Sequence, residues 1–480
     1  MPASVERRIG DRIAASIYRD PEYLDDPVLG DYVQAIWQPL MAAARARGEL
    51  GPELDERFAW EVMLVRNRSV NAFALPGGYL GVHLGLIGVV SNADELAAVL
   101  GHELSHVTQR HISRLMTQQE RQTPWIIGAM ILGVLAAGKS PDAANAAIVG
   151  GQAMGAQKQL DFSRDMERVA DRVGFAIMTE AGFESRGVTG MFEKLQQASR
   201  LNDSGSFPYL RSHPLTTERL AEVQARLQVA SPTRAAALPA ATAGHVHAMM
   251  AARARVLAEP GVDVLRSMVV EGQRVLTAAP SAVAATNAAG ALYAGAMAAA
   301  RLRDHPTARA LTARLKSIAP ADAPVARIIK LLATELDGQA GTVSRATVAP
   351  GFLREATRAE LLIGGRALLA TDRASEVSDR LQTWVTTHPK DAAAWQLLAE
   401  AYTRQNLKLR AIRAEAEARV AQLDYSAALD RLKAAQALMR SNQAGDLPAN
   451  NYIEGSIIDT RTRQLESIVL EQALQDKLDR

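Results

Sequence analysis

The segment His102-Glu-Leu-Ser-His106 constrains this chain more than any other part of its sequence. On an α-helix, residues four apart lie one above the other on the same face. Two imidazoles in that arrangement can bind one metal ion, and Glu103 can reach a water molecule at that ion. Because the chain has only nine histidines in 480 residues, about one chain in a hundred of this composition would match by chance. The alternative is an ordinary helix with two surface histidines.

The flanking sequence predicts that this segment is helical. Asn92, followed three residues later by Glu95, is typical of an N-cap and capping box. An apolar face of helical period follows at Leu96, Val99, Leu100, Leu104 and Val107. We therefore predict a helix that begins directly after Asn92.

Composition limits both the partners and the metal ligands of this chain. A length of 480 residues, with 48% hydrophobic and 22% charged residues, indicates two globular domains. The net charge of +2 provides no basic field for nucleic acid, so no nucleic-acid partner is predicted. The absence of cysteine excludes disulfides and thiolate ligands, so nitrogen and oxygen atoms would have to hold any zinc.

One apolar run bears on a possible contact with a membrane. Trp125 to Ala137 is too short to span a bilayer. We predict a buried helix there, with a lid that touches the membrane as the alternative, and residues 115–150 could cover the site. Because the first twenty residues lack the apolar core of a signal peptide, the protein is either cytoplasmic or a mature exported form.

The N-terminal half combines helical patterns with a small sheet. Val62 to Val70 and Tyr79 to Leu84 are short apolar runs, and a turn at Pro76-Gly-Gly78 indicates a hairpin between them. Residues 229–244 are rich in Ala, Pro, Ser and Thr, which predicts a linker. The predicted organisation is an α+β domain over 1–228, the linker, and a second domain over 245–480.

Residues 245–480 are almost entirely helical in pattern, and part of the pattern repeats. Leu315-x-x-Ile-x-Pro-x-Asp322 recurs as Trp384-x-x-Thr-x-Pro-x-Asp391, an offset of 69 residues. This is close to twice the ~34-residue tetratricopeptide unit, and Tyr425 to Leu429 resembles the second helix of another unit. We predict an all-α tetratricopeptide-like helical repeat domain that binds other proteins. A generic helical bundle is the alternative.

A catalytic zinc takes three protein ligands, so the two histidines need a downstream partner. Glu167 is the best candidate, and Asp171 lies four residues later on the same helical face. One carboxylate can ligate zinc while the other accepts the free N–H of a ligand histidine. In the alternative, both carboxylates pair with neighbouring arginines on a solvated face.

These motifs resemble those of the BepA-type zinc metalloproteases, gluzincins related to HtpX and the CaaX prenyl proteases. The similarity covers residues from about 5 to 228. It includes Asn71-Ala-Phe-Ala-Leu-Pro-Gly-Gly78, Gly101-His-Glu-Leu-Ser-His-Val-Thr-Gln-Arg-His111 and Arg211-Ser-His-Pro214. Relatives often have a second glutamate two positions past the ligand, where this chain has Val169. The resemblance implies a mostly helical α+β gluzincin domain with a small sheet, followed by tetratricopeptide repeats.

The resemblance also assigns roles to individual residues. It implies that His102, His106 and Glu167 hold one Zn²⁺ per chain. Glu103 would act as general base and then as general acid. Asp171 would orient a ligand histidine.

Three further histidines receive different interpretations. By the resemblance, His213 would be a fourth ligand in a resting enzyme; from its sequence context alone it could equally stabilise an oxyanion, or do neither. His111 lies five residues past His106, which predicts a position on the helix surface, away from the ligands. His83, in a strand pattern, is left out of the site.

The substrate of such a site would lie extended beside the metal. We predict that the strand around Tyr79 to Leu84 is an edge to which the peptide adds as another strand. Asn71 either hydrogen-bonds that peptide or is only a turn residue.

The resemblance implies a protease of outer-membrane protein quality control and assembly. Its substrates would be unfolded proteins, and the outer-membrane assembly machinery would be a partner of the repeat domain. It also implies a periplasmic mature form with its signal peptide removed. One alternative is a helical-repeat chaperone or scaffold with a silent or structural metal site, although such a site has no use for a base at Glu103. Another is a metal-dependent hydrolase of small molecules.

Overall fold

The computed structural model describes residues 1–118, 164–200, 208–229, 240–258, 261–277, 285–344, 356–440 and 450–478. The chain divides into two compact units, Met1–Ala333 and Thr334–Arg480. The predicted apolar helix at Trp125 to Ala137 lies outside the described residues. No described helix combines the length and the apolar character that crossing a membrane requires.

The first unit contains helices and one four-stranded sheet. Its helices are α1 (Ala3–Arg19), α2 (Pro27–Ala46), α3 (Pro52–Arg57), α4 (Leu84–Val89), α5 (Ala93–Thr108), α6 (His111–Gln118), α7 (Arg164–Glu180), α8 (Arg186–Arg200), α9 (Tyr209–Ser212), α10 (Thr217–Val229), α11 (Ala240–Leu257), α12 (Val262–Thr277), α13 (Ala285–Arg301), α14 (His305–Ile318) and α15 (Ala323–Ala340), the last of which continues past the unit boundary. Its strands are β1 (Tyr23–Leu24), β2 (Glu61–Val65), β3 (Ala72–Leu75) and β4 (Tyr79–His83).

The sheet has the strand order β1-β2-β4-β3, with β4 in its interior. The predicted turn at Pro76-Gly-Gly78 is present, and Gly77 and Gly78 adopt φ values of 74° and 84° that favour glycine. However, this turn joins β4 to β3, whereas β2 pairs with β4 in parallel. The predicted hairpin partner was therefore wrong, because the short β3 was overlooked. The prediction that β4 is an edge was also wrong, since β4 is paired on both sides.

Helix α5 begins where the sequence predicts. The Asn92 side chain accepts a hydrogen bond of 2.9 Å from the backbone N–H of Glu95. The Glu95 carboxylate accepts from Ser91 N, while Lys194 lies 3.1 Å from it. The N-cap is thus confirmed, but the Glu95 carboxylate bonds the backbone N–H of Ser91, where a capping box would use that of Asn92. Every residue from Glu95 to Thr108 is buried, so α5 lies in the interior of the unit.

The first compact unit extends well beyond the boundary predicted at residue 228. Helix α10 ends at Val229 and α11 begins at Ala240, inside the predicted linker; residues 230–239 lie outside the described part of the chain. Helix α11 packs on α4 and α2. Buried polar contacts anchor it there, as when Arg253 Nη2 donates to Asp26 at 2.6 Å.

All described elements of the second unit are helical. Beyond the end of α15 they are α16 (Arg358–Leu369), α17 (Ala374–Thr387), α18 (Ala392–Arg404), α19 (Lys408–Ala421), α20 (Tyr425–Arg440) and α21 (Asn450–Leu478). Leu398 and Tyr402 are core residues of this unit, and Trp395 packs against them.

The 69-residue recurrence falls on the same local structure twice. One helix ends at Ile318 and the next begins at Ala323; correspondingly, a helix ends at Thr387 and the next begins at Ala392. The helical character of this half is confirmed, and its assignment to tetratricopeptide repeats stays a prediction.

Candidate metal centre

Four buried side chains converge in the first unit. Ligand atoms of His102, His106, Glu167 and His213 all lie within 4.8 Å of one another. The two imidazoles of α5 approach to 3.0 Å between their Nε2 atoms, and His106 Nε2 lies 3.4 Å from Glu167 Oε1. This is the three-residue set that the sequence predicted, with His213 beside it.

A close approach of α5 to α7 brings these residues together. The two helices touch at Gly101 and Gly174, where a Cβ atom on Gly174 would lie 2.9 Å from Gly101 C and His102 N. One helical face of α7 then presents both Glu167 and Asp171 to α5. The spacing of the carboxylates is local in origin, but their distance from the histidines depends on this pair of glycines.

Gly174→Ala is expected to destabilise the first unit by about 1–3 kcal/mol, because the added methyl group must separate α5 from α7. In an open helix position the same change is stabilising by up to about 1 kcal/mol. Gly338 in α15 offers that matched control, since a Cβ there meets nothing within 4 Å. Because the two glycines lie in different compact units, each variant is followed through the urea transition of its own unit, whose midpoint should fall for Gly174→Ala and rise for Gly338→Ala. An unchanged or raised midpoint for Gly174→Ala would contradict this account of the helix contact.

Asp171 lies behind His102 and orients it. Its Oδ1 atom is 3.0 Å from His102 Nδ1, so the Nδ1–H can donate to the carboxylate and leave Nε2 toward the cluster. Arg219 of α10 holds Asp171 by two hydrogen bonds, of 2.7 and 2.8 Å. Arg219 Nη1 lies 2.9 Å from Glu167 Oε2 and donates to Pro214 O at 2.8 Å. One buried arginine thus connects both carboxylates with the segment that carries His213.

Arg219 is a site residue that the sequence did not predict. In the alternative interpretation the carboxylates would pair with arginines of their own helix, but Arg168 pairs with Asp165 and Glu218 instead. Arg219 is only 6% exposed, although it lies in the polar first turn of α10. No local pattern distinguishes it from a solvated arginine.

The charges of the cluster favour a bound cation. Burial lowers the pKa of His102, but hydrogen bonds to Asp171 and Glu167 outweigh it and raise that pKa to about 10. Burial opposes ionisation of Glu167, yet His213 and His102 hold its pKa well below the ordinary value. Burial keeps the pKa of His106 well below its ordinary value. The ionised carboxylates that raise the pKa of His102 would equally stabilise a divalent ion bound in place of that proton, and neutral His106 offers the ion a further nitrogen.

Glu103 provides an independent test of the fit to zinc. It is fully buried, and its two carboxylate oxygens have no hydrogen-bond partner among the described residues. His213 Nε2 lies 3.4 Å from Oε1, and a water molecule at a metal held by His102 and His106 would supply the hydrogen bond that a buried carboxylate needs. The nitrogen and oxygen donors of the cluster are ligands that Zn²⁺ takes. The residues therefore fit the ion.

His213 lies inside the cluster. Its Nδ1 atom is 3.0 Å from Glu167 Oε1, and its Nε2 atom is 3.4 Å from Glu103 Oε1. Tyr209 stacks on the ring, with centroids 4.5 Å apart and planes 30° apart. The structure thus brings His213 to the site, and its role as a fourth ligand stays a prediction.

Tyr79 is 2% exposed and donates its hydroxyl to Asp11 at 2.7 Å, and its role in substrate binding stays a prediction. The predicted surface position of His111, by contrast, was wrong. His111 is fully buried, and its Nδ1 atom lies 3.0 Å from His106 Nδ1. Helix α5 ends at Thr108, before His111. The position of His111 therefore does not follow the helical spacing that predicted a surface location.

Asn71 precedes the outer strand β3. Its carbonyl oxygen accepts a hydrogen bond from His83 N at 3.0 Å. Its side chain is 8% exposed, and the Oδ1 atom has no partner among the described residues. A role in substrate binding stays a prediction. His83, left out of the site by sequence analysis, contacts Ser69 at 2.8 Å through Nδ1.

The part of the chain that carries this cluster is similar in sequence to known metallopeptidases. Residues 31–227 match the family model of peptidase family M48. A Vibrio cholerae protein is 32% identical over 255 residues, 53% of this chain and 49% of its own length. The beta-barrel assembly-enhancing protease of Escherichia coli strain K12 is 31% identical over 221 residues, 46% of this chain and 43% of its own length. The mitochondrial metalloendopeptidase OMA1 of Arabidopsis thaliana is 33% identical over 165 residues, 34% of this chain and 31% of its own length. The chain thus spans at most about half of these relatives.

Proposed function

We propose, from the match of residues 31–227 to the family model of peptidase family M48, that this chain is a zinc endopeptidase that cuts unfolded or misassembled proteins. One observation carries the proposal: a fully buried Glu103 without a hydrogen-bond partner among the described residues lies beside His102, His106 and Glu167. A site that only stabilised the fold would have no need for such a carboxylate.

The chain supplies ligands, a base and the groups that orient them. His102, His106 and Glu167 would hold the zinc ion. When bound, zinc polarises the scissile carbonyl and lowers the pKa of water to about 7. Glu103 accepts the proton of the attacking water on a carboxylate oxygen and returns it to the leaving amine. Asp171 fixes the tautomer and the direction of the His102 ring.

His213 would restrain the enzyme at rest. Its ring lies among the ligand atoms and near Glu103, where it could take the position that water needs. Rotation of the ring away from the cluster would open that position. A protease among folding clients requires such restraint. The same ring could otherwise stabilise an oxyanion from its present distance.

The outer strand β3 is the place where a peptide could add. This strand is paired with β4 on one side only in the sheet, and it packs beside α5. An extended substrate that pairs with β3 would pass the helix that carries Glu103. Asn71, at the start of β3, has a buried Oδ1 atom available to a peptide N–H.

The names of relatives suggest the biological setting. Several, from Escherichia coli to Yersinia pestis, are named beta-barrel assembly-enhancing protease. We infer a periplasmic mature protein, its signal peptide removed, whose clients are outer-membrane proteins that have failed to assemble. The helical repeats over 245–480 would bind these clients or the assembly machinery. Peripheral membrane contact by residues 124–138, which lie outside the described part of the chain, belongs to the same proposal.

The test compares unfolded and folded substrate in the presence of zinc. The full chain, loaded with one equivalent of Zn²⁺, is incubated with an unfolded polypeptide and with the same polypeptide folded. We expect internal cuts, at least about tenfold faster in the unfolded form because cleavage requires an extended segment. A chelator should abolish the cuts and added zinc should restore them. Zinc-loaded chain that prevents aggregation without cutting would favour a helical-repeat chaperone with a silent site; cleavage of small esters alone would favour a small-molecule hydrolase.

A further inference from the structure

The two ligand histidines of α5 have different partners behind them. His102 Nδ1 faces the Asp171 carboxylate at 3.0 Å. His106 Nδ1 faces a second imidazole, His111 Nδ1, also at 3.0 Å. The His106 and His111 rings are both fully buried, with centroids 4.9 Å apart and planes 76° apart. His111 is thus in hydrogen-bond contact with a ligand of the cluster.

Metal binding through Nε2 of His106 would decide which nitrogen of this contact carries the proton. His106 points Nε2 at His102 and Glu167, so Nε2 is the atom that would bind metal. A neutral imidazole that binds metal through Nε2 carries its hydrogen on Nδ1. That hydrogen needs an acceptor, and His111 Nδ1 lies within hydrogen-bond distance, 3.0 Å from His106 Nδ1.

We propose that His111 is a positioning residue for the metal site, accepting the Nδ1–H of His106 and so fixing its ring for binding through Nε2. This inference rests on the proposed zinc function. His111 would thus accept the Nδ1–H of His106, as the Asp171 carboxylate accepts that of His102. Groups of this kind set ring orientation and ligand strength in metal sites.

The turn between α5 and α6 is built to hold His111 in place. Arg110 adopts a φ of 55°, a left-handed conformation that costs a non-glycine residue energy. Its guanidinium donates to Glu6 of α1 at 2.8 and 3.1 Å, and Glu6 is only 1% exposed. This ion pair stabilises the turn that brings His111 back beneath His106. Helix α1, remote in sequence, thereby supports the cluster.

Two nearly isosteric substitutions test the proposal. Gln at position 111 keeps an oxygen acceptor, whereas Met fills the same space without a strong one. We expect His111→Met to weaken the affinity for Zn²⁺ about 10- to 100-fold, measured on the full chain by competition with a chromogenic chelator. His111→Gln should stay several-fold closer to wild type. His388→Met, which removes an exposed histidine of the second unit, should leave the affinity unchanged.

The outcomes separate this inference from the proposed function. Wild-type chain that binds no zinc would overturn the proposed function itself. Zinc binding by His111→Met as tight as wild type, or equal losses for Met and Gln, would overturn only the role of His111. If the Met variant does not fold, nitrogen NMR of the zinc-loaded wild-type chain decides. A proton on His106 Nδ1 with scalar coupling to His111 Nδ1 supports the proposal, and its absence refutes it.

Discussion

Glu103→Gln is expected to lower kcat/KM on an unfolded polypeptide by about 10²–10⁴-fold, the usual contribution of a positioned general acid–base. Glutamine keeps the size of the side chain but cannot accept the proton of the attacking water. The Glu103 carboxylate makes no hydrogen bond within the described structure, and glutamine keeps an oxygen for the 3.4 Å contact with His213 Nε2, so the substitution breaks no hydrogen bond there. Zinc content and thermal stability should therefore stay at the wild-type level. The measurement is initial cleavage rate together with metal analysis of the same preparation.

Glu56→Gln provides the matched control. Glu56 is an exposed acid of α3, so its variant should cut at the wild-type rate. Unchanged cleavage by Glu103→Gln would show that a contaminating protease acts in the preparation. Loss of zinc together with activity would show that Glu103 is needed to build the site, which is a structural role. Normal support of client assembly by an inactive Glu103→Gln chain would reveal a separate chaperone role.

The features that the sequence predicts correctly have determinants that are local in the chain. The N-cap at Asn92 and the spacing of His102 and His106 follow from helix geometry, and α5 forms as predicted. The i, i+4 pair Glu167 and Asp171 lies on one face of α7 for the same reason. The motifs also carried the resemblance to BepA-type proteases, which the family match and the named relatives confirm.

Failures occurred where the determinant is distant in sequence. The central place of β4 depends on pairing with both β2 and β3, which no run of alternating residues reveals. Arg219 acquires its role only because α10 lies against α7, where it meets Asp171. His111 was misplaced because the left-handed Arg110 ends the helical spacing on which its position was calculated. The errors over β4 and Arg219 come from contacts between segments that the sequence separates, and the turn at Arg110 is itself stabilised by such a contact, the ion pair with Glu6 of α1.

The first compact unit extends past the predicted boundary at residue 228, again because of contacts between segments that are distant in sequence. Arg253 of α11 is 1% exposed and donates to Asp26 at 2.8 and 2.6 Å. Asp26 is also the N-cap of α2, accepting from Leu29 N at 2.8 Å. Close by in sequence, His247 of α11 contacts Tyr32 of α2 at 2.7 Å. These buried polar contacts bind α11 to α2, although a composition typical of linkers precedes α11.

Arg253→Met is expected to destabilise the packing of α11 on α2 by about 3–5 kcal/mol, because it leaves the Asp26 carboxylate buried without its counterion. Hydrogen exchange of the full chain measures this locally, which avoids assuming that a chain of two compact units unfolds in one step. Backbone amides of Pro27–Ala46 and Ala240–Leu257 should exchange about 10²- to 4 × 10³-fold faster, since each 1.4 kcal/mol is a factor of ten. Amides of the second unit should be unaffected.

Two further variants show whether the buried charge is the cause. Arg266 forms an exposed pair with Asp263 at 3.4 Å, and Arg266→Met should cost less than about 1 kcal/mol. Asp26→Asn added to Arg253→Met removes the unpaired charge and keeps an N-cap side chain, so the double variant should regain much of the lost protection. If the unpaired Asp26 charge causes the loss, the double variant should exchange more slowly than the single variant. Equal exchange in the two variants would instead assign the loss to the missing packing of the arginine side chain.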